Sequence, residues 1–137
     1  MLRQLLFAFP MVLICLSLSS CNKGDGITKY KLSGEVLFDG EPLPYGEMLL
    51  SPDAEKNNLG PSSTITIVDG KFESPPDKVH IGGPYVAVIT GFDGETPKNP
   101  DPLRSSLRGN VLFENFETKF ELPMGSSTQK IEVSRAE

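Results

Sequence analysis

The sequence contains no tryptophan, one histidine and two cysteines in 137 residues. Without tryptophan, the chain has no indole ring to stack on a sugar. Cys15 and Cys21 both lie near the start, so the remainder has neither a thiol for catalysis nor a Cys/His cluster for zinc. His80 would have to serve any catalytic triad, but no Gly-x-Ser-x-Gly elbow supplies a nucleophile. We therefore predict that the protein is not an enzyme, and we expect His80 to be exposed or to cap a turn.

Positive charge is also scarce. The chain has 13 Lys and Arg residues against 18 Asp and Glu residues, a formal charge of −5. An acidic chain lacks the basic surface of a nucleic-acid-binding protein and is repelled by an anionic lipid surface. We predict that nucleic acid is not a partner and that charge does not attach the protein to a membrane.

Long apolar runs are absent apart from one near the start, from Leu5 to Leu18, which carries no charge and contains Pro10. At about 14 residues it is shorter than the ~18 that a membrane-spanning helix needs. Arg3 stands before it, and this layout is typical of a signal peptide. We predict that residues 1–20 are a signal peptide.

The apolar run ends in Leu18-Ser19-Ser20-Cys21, which resembles a bacterial lipobox. That resemblance implies cleavage before Cys21 and attachment of lipid to its sulfur and its new amino group. Conventional secretory cleavage also uses small residues such as Ser19 and Ser20, so that alternative stays open. Under the lipobox interpretation, residues 21–28 are a lipidated N-terminus and tether, and the protein is anchored in a membrane of the cell envelope, facing the periplasm or the cell surface.

The rest of the chain alternates apolar and polar residues over short segments separated by turn residues. No segment has the periodicity of an amphipathic helix. Asp69-Gly70 predicts a tight hairpin, and the last two segments predict a closing hairpin. We predict an all-β fold, a single antiparallel β-sandwich of about seven strands. The predicted strands cover residues 29–38, 45–51, 63–68, 71–73, 84–90, 117–122 and 129–134.

Three motifs carry a family resemblance: Gly34-x-Val36-x-x-Asp39-Gly40-x-Pro42-Leu43-x-x-Gly46, Asp69-Gly70-Lys71-Phe72 and Gly83-Pro84-Tyr85-x-Ala87-x-Ile89. Together they resemble the carboxypeptidase regulatory-like (transthyretin-like, prealbumin-like) sandwich, here over residues 29–134. With the lipobox, the chain is similar to small lipoproteins of planctomycete-type bacteria that carry one such domain. The motifs are turns and core positions, so the resemblance implies a fold and no catalytic residue. Pro84 departs from the family, which usually has glycine before the tyrosine.

The segment 91–110 is the longest irregular stretch and contains three prolines and charges of both signs. Long loops of this kind are often functional or disordered, so we predict a mobile loop and a candidate binding surface. Its Asp93, Glu95 and Asp101 are candidate calcium ligands, although their spacing matches no EF-hand and Asp93-Gly94 is equally a turn. Arg104 and Arg108 are either a small anion site or a solvated flank.

The sequence thus predicts a non-catalytic, lipid-anchored cell-envelope protein with a structural or recognition role. Its predicted partners are the membrane, through lipid on Cys21, and an envelope protein or glycan. The alternative is an envelope solute- or carbohydrate-binding protein that uses the 91–110 loop. Neither interpretation requires a cofactor.

Overall fold

A computed structural model describes residues 26–76, 80–95 and 108–135. The predicted signal peptide, Cys21, Asp101 and Arg104 lie outside these residues, as does most of the segment 91–110. Within the described ranges, no helix has the length and apolar character needed to cross a membrane.

The described residues are mostly β-structure, which confirms the predicted all-β class. A single 3₁₀ turn, Ala54–Lys56, is their only helical element. The strands are β1 (Leu32–Phe38), β2 (Glu41–Pro42), β3 (Tyr45–Pro52), β4 (Ser63–Val68), β5 (Lys71–Glu73), β6 (Gly83–Phe92), β7 (Val111–Leu122) and β8 (Ser127–Val133).

These strands form one curled sheet. From one edge to the other the order is β8, β1, β5, β4, β3, β6 and β7. The short strand β2 pairs with the end of β1 on the same side as β5, because β8 occupies the whole opposite side of β1. All pairs are antiparallel except β1 with β8, which is parallel.

Local sequence explains the individual strands. In β4, Ile65 and Ile67 are buried while the alternate residues are exposed, as the predicted alternation requires. Asp69 and Gly70 both have positive φ, 49° and 73°, and so do Asp39 and Gly40. Positive φ at both central residues is what a type I′ hairpin turn needs, so each Asp-Gly pair reverses the chain tightly.

The core lies inside the curl of the sheet. It contains apolar side chains from seven of the strands together with Leu43, and the rings of Phe38 and Phe113 stack across it with centroids 5.2 Å apart. Strand β7 contributes its aromatic side chains only half-buried, at the margin of the core. The fully buried members include Leu32, Val36, Leu43, Met48, Ile67, Ala87 and Ile89.

The predicted closing hairpin is wrong. Strand β7 begins at Val111 and pairs with β6, whereas β8 pairs with β1 over seven residues in parallel. The chain therefore crosses from one edge of the sheet to the other between these two strands. Alternation located both strands, but alternation reports which face is buried and does not identify the neighbouring strand.

Two further predictions need adjustment. The first strand begins at Leu32, because Tyr30 forms only an isolated bridge with His80. Residues 84–90 are apolar on both faces, which predicts a strand covered on each side or near an edge of both layers, and they form β6, between β3 and β7. However, its second face is only half-buried, at Val86 and Val88, and not covered by another layer.

Candidate functional site

A groove of about 700 Å³ lies on the outer face of the sheet, across β4, β5, β1 and β8. The inward residues of these strands belong to the core, so the alternate residues point to solvent and line the groove. They are Ser33, Glu35, Thr66, Val68, Lys71, Glu73, Thr128 and Lys130.

The strand register arranges most of these side chains in two rows. In the first row, Val68 pairs with Lys71, Lys71 with Glu35, and Glu35 with Lys130. Neighbouring strands are about 4.8 Å apart, so Glu35 lies between Lys71 and Lys130 in the register, while the Lys130 ammonium is 3.5 Å from Glu132 Oε1 on its own strand. This row is therefore apolar at the β4 end and carries alternating charge across the other three strands.

The second row is rich in hydrogen-bonding groups. Glu73 pairs with Ser33, and Ser33 pairs with Thr128. The hydroxyl oxygens of Ser33 and Thr128 are 3.3 Å apart, and Lys31 Nζ donates to Glu73 Oε1 at 3.1 Å. Exposed ion pairs of this kind contribute little stability, so a ligand can replace them at little cost.

The floor of the groove depends on a close approach between strands. A Cβ atom at Gly34 would overlap the carbonyl oxygen of Gln129 and lie 2.8 Å from the ring of Phe72. Glycine thus allows the Phe72 ring to pack beneath β1 and allows β8 to pair with it. The groove offers hydroxyl, ammonium and carboxylate groups on a firm floor, which suits binding through several hydrogen bonds.

His80 is not in the groove and is not exposed. It is completely buried, so the expectation of an exposed histidine is wrong. Its Nδ1 accepts a hydrogen bond from Gly82 N–H at 3.1 Å, which caps that turn as the alternative predicted. Nδ1 must then be unprotonated, so Nε2 carries the proton and donates to the Lys31 carbonyl oxygen at 3.3 Å.

The surroundings of His80 keep it neutral. Its ring lies beside those of Tyr30 and Tyr85, with centroids 5.9 Å and 6.1 Å away. Burial lowers the pKa of His80 below its ordinary 6.5, and the hydrogen bond to the Lys31 backbone opposes this only in part. The geometry gives His80 a structural role in joining the start of the described chain to the entrance of β6.

The candidate calcium ligand Asp93 instead closes the base of the 91–110 segment. Its carboxylate accepts hydrogen bonds from Asn110 Nδ2 at 2.7 Å and from the backbone N–H groups of Glu95 and Asn110, each at 2.9 Å. These bonds, the one from the Asn110 side chain first, lower the pKa of Asp93. Across the described ranges, no three His, Cys, Asp or Glu side chains form a group that could hold a metal ion.

Arg108, the candidate anion-binding residue, is already paired. Its guanidinium donates to both carboxylate oxygens of Glu47, at 2.9 Å and 2.7 Å, and its Cζ lies 5.9 Å from the centroid of the Phe92 ring. Two backbone hydrogen bonds, Asp93 N to Asn110 O and Gly94 N to Arg108 O, complete this closure. Both described ends of the segment are therefore fixed to the sheet.

Sequence reasoning missed the groove. The outward parity of Ser33, Glu35 and Lys130 is visible in the alternation, but their proximity depends on the parallel pairing of β1 with β8. Glu47 was missed for the same reason, since 61 residues separate it from Arg108.

Comparison of the chain with protein-family models, curated proteins and solved structures finds no match.

Proposed function

We propose that this protein is a non-catalytic, lipid-anchored recognition module of the cell envelope, and that its binding site is the groove across β4, β5, β1 and β8. The fold we infer is an open β-sandwich of the carboxypeptidase regulatory-like kind. In it, the groove strands form one layer and β3, β6 and β7 form the other. The stacking of Phe38 on Phe113 across the interior supports this arrangement.

The observation that carries the proposal is the pair of side-chain rows in the groove. The groove has no net charge, because Lys71 and Lys130 balance Glu35 and Glu73, although the chain is acidic overall. A site without net charge does not select strongly for anions or cations, but its alternating donors and acceptors suit a polyhydroxyl ligand. We therefore propose a neutral or zwitterionic glycan as the ligand.

The groove is a better candidate than the 91–110 segment. Two of the three described charged side chains of that segment, Asp93 and Arg108, are already satisfied within the domain. Binding a ligand there would first break these hydrogen bonds, whereas the groove side chains make only exposed contacts.

A thermal-shift experiment tests the proposal. A ligand that binds only the folded state raises the melting temperature, so we expect at least one glycan of a panel of envelope oligosaccharides to stabilise the protein. Glu35→Gln should abolish this shift because it removes the carboxylate between the two lysines. Glu41→Gln, the same change at an exposed glutamate of β2 outside the groove, should retain it.

Two outcomes would contradict the proposal. One is a panel in which no glycan changes the melting temperature of the wild-type protein. The other is an identical shift in wild type, Glu35→Gln and Glu41→Gln, which would place the glycan elsewhere. If peptides and not glycans raised the melting temperature, the groove would remain the proposed site and the proposed ligand would be a peptide.

A further inference from the structure

Strand β7 is a long edge strand. Among the described residues only β6 pairs with it, so one side of its backbone has no partner strand there. Its register with β6 is regular from Phe116 to Leu122 and is interrupted before that, where Asn115 has φ of 55°. The regular part contains no proline and no bulge, two features that prevent an edge from pairing.

Both faces of this regular part carry side chains that a further strand would engage. On the core side, Phe116 and Phe120 pack against the core but remain half-buried. On the outer side, Glu117 and Lys119 are exposed, and Lys119 Nζ lies 4.0 Å from Glu117 Oε1. An added strand would therefore gain backbone hydrogen bonds, aromatic contacts and ionic contacts together.

We propose that β7 pairs in an antiparallel manner with β7 of a second copy of this chain, about a two-fold axis at Thr118. In this register Phe116 faces Phe120 of the second copy, and Glu117 faces Lys119 of the second copy. Two-fold symmetry repeats each contact, so the dimer gains two aromatic pairs and two ion pairs.

The other registers are less favourable. Residues that oppose each other across an antiparallel pair point to the same face, so the axis must pass through a residue and not between two. An axis at Glu117 places two glutamates opposite each other, and an axis at Lys119 places two lysines opposite each other. Like charges directly opposite destabilise a strand pair. An axis at Phe120 would set Lys119 against Glu121, but it gives one aromatic pair in place of two, so the axis at Thr118 is favoured.

Charge reversal tests both the dimer and its register. Two copies of the full chain with different epitope tags are co-expressed, solubilised in mild detergent and captured through one tag. Glu117→Lys alone places lysine against lysine in the dimer, and Lys119→Glu alone places glutamate against glutamate. We expect each single variant to capture its own second copy roughly tenfold less than wild type does.

Combining the two variants should restore capture. When one copy carries Glu117→Lys and the other Lys119→Glu, every cross-strand contact in the proposed register is again between opposite charges. Capture of the mixed pair should therefore return to near the wild-type amount. A mixed pair that is captured no better than the single variants would contradict the proposed register. Equal capture of all combinations would show that the β7 edge does not form the dimer contact.

A cross-link tests the same axis without altering charge. In the proposed register the Cα atoms of the two Thr118 residues are about 4.5–5.5 Å apart, within the ~4.4–6.8 Å that a disulfide spans. Thr118→Cys should form a covalent dimer on mild oxidation. Thr128→Cys on β8 and the wild type, treated identically, should not. Absence of the Thr118→Cys dimer in folded protein would overturn the proposal.

Discussion

At the scale of single residues, His80 is the side chain whose environment differs most from what its position in the sequence indicates. Replacing it with alanine would leave Gly82 N–H without its partner and open a cavity between Tyr30 and Tyr85. It would also remove one of the two hydrogen bonds that the Lys31 carbonyl accepts, the other coming from Ser127 N–H. We expect His80→Ala to lower the free energy of unfolding by about 2–4 kcal/mol, measured by urea denaturation.

The control for that measurement is Lys130→Ala, which removes an exposed side chain and should change stability by less than about 0.5 kcal/mol. If the two variants were equally stable, His80 would not be the internal link that the geometry indicates. The same variants also separate structure from recognition, because Lys130 lines the groove and His80 does not.

His80 should also make stability depend on pH. Its pKa in the folded protein is below the ordinary 6.5, so the unfolded chain takes up the proton first as the pH falls. The contribution of neutral His80 to the free energy of unfolding is therefore fully present above about pH 6.5. It declines as the pH falls below that value and stops declining once the pH is below the folded-state pKa. The melting temperature of the wild type should fall as the pH is lowered from 8 to 5. That of His80→Asn, which lacks the titrating ring, should fall less. Equal dependence of the two melting temperatures on pH would contradict this.

The sequence identified His80 as the lone histidine but could not identify its surroundings. Tyr30 lies fifty positions earlier in the chain, and an isolated backbone bridge brings it beside His80. Burial of a polar side chain depends on such distant contacts, whereas the local sequence around His80 has no periodic pattern that indicates burial. The pairing of Arg108 with Glu47 could not be predicted for the same reason, because 61 residues separate them.

At the scale of elements, Gly34 controls how β1 and β8 pair. Alanine there would place its Cβ atom against the Gln129 carbonyl and the Phe72 ring. We expect Gly34→Ala to destabilise the domain by about 1–3 kcal/mol, because a packed interior resists an added methyl group. Gly125→Ala is the matched control, since its Cβ atom would meet nothing within 4 Å. Equal unfolding midpoints for the two variants in urea would show that β8 is not held closely at Gly34.

Elements were predictable from the sequence where local chemistry determines them. The Asp69-Gly70 turn and the alternation in β1 and β4 depend on neighbouring residues, and both are present as predicted. The partner of β8 depends on the whole sheet, so the closing hairpin was predicted wrongly. The groove follows from that unexpected pairing, which is why the candidate site was missed although its residues were visible.

At the scale of the whole molecule, the two proposed surfaces lie on different strands. The groove lies on the outer face of β4, β5, β1 and β8, while the proposed pairing edge is β7, at the other end of the strand order. A glycan in the groove and a second copy at β7 would therefore contact different strands. Glu35→Gln should leave capture of a second copy unchanged, and the charge reversals on β7 should leave the glycan-induced shift unchanged.

Attachment to the membrane is the remaining property of the whole molecule. The chain is acidic, so charge does not favour binding to anionic lipid, and no described helix could cross a membrane. Acyl chains on Cys21 would contribute roughly 0.8 kcal/mol per buried CH₂, and two or more chains anchor a protein stably.

We expect the wild-type protein in the membrane fraction, resistant to high salt and released by detergent, and Cys21→Ser in the soluble fraction. Cys15→Ser should behave like wild type, because that cysteine lies within the predicted signal peptide. Wild type in the soluble fraction, or Cys21→Ser still bound to membranes, would mean that lipid on Cys21 is not the anchor.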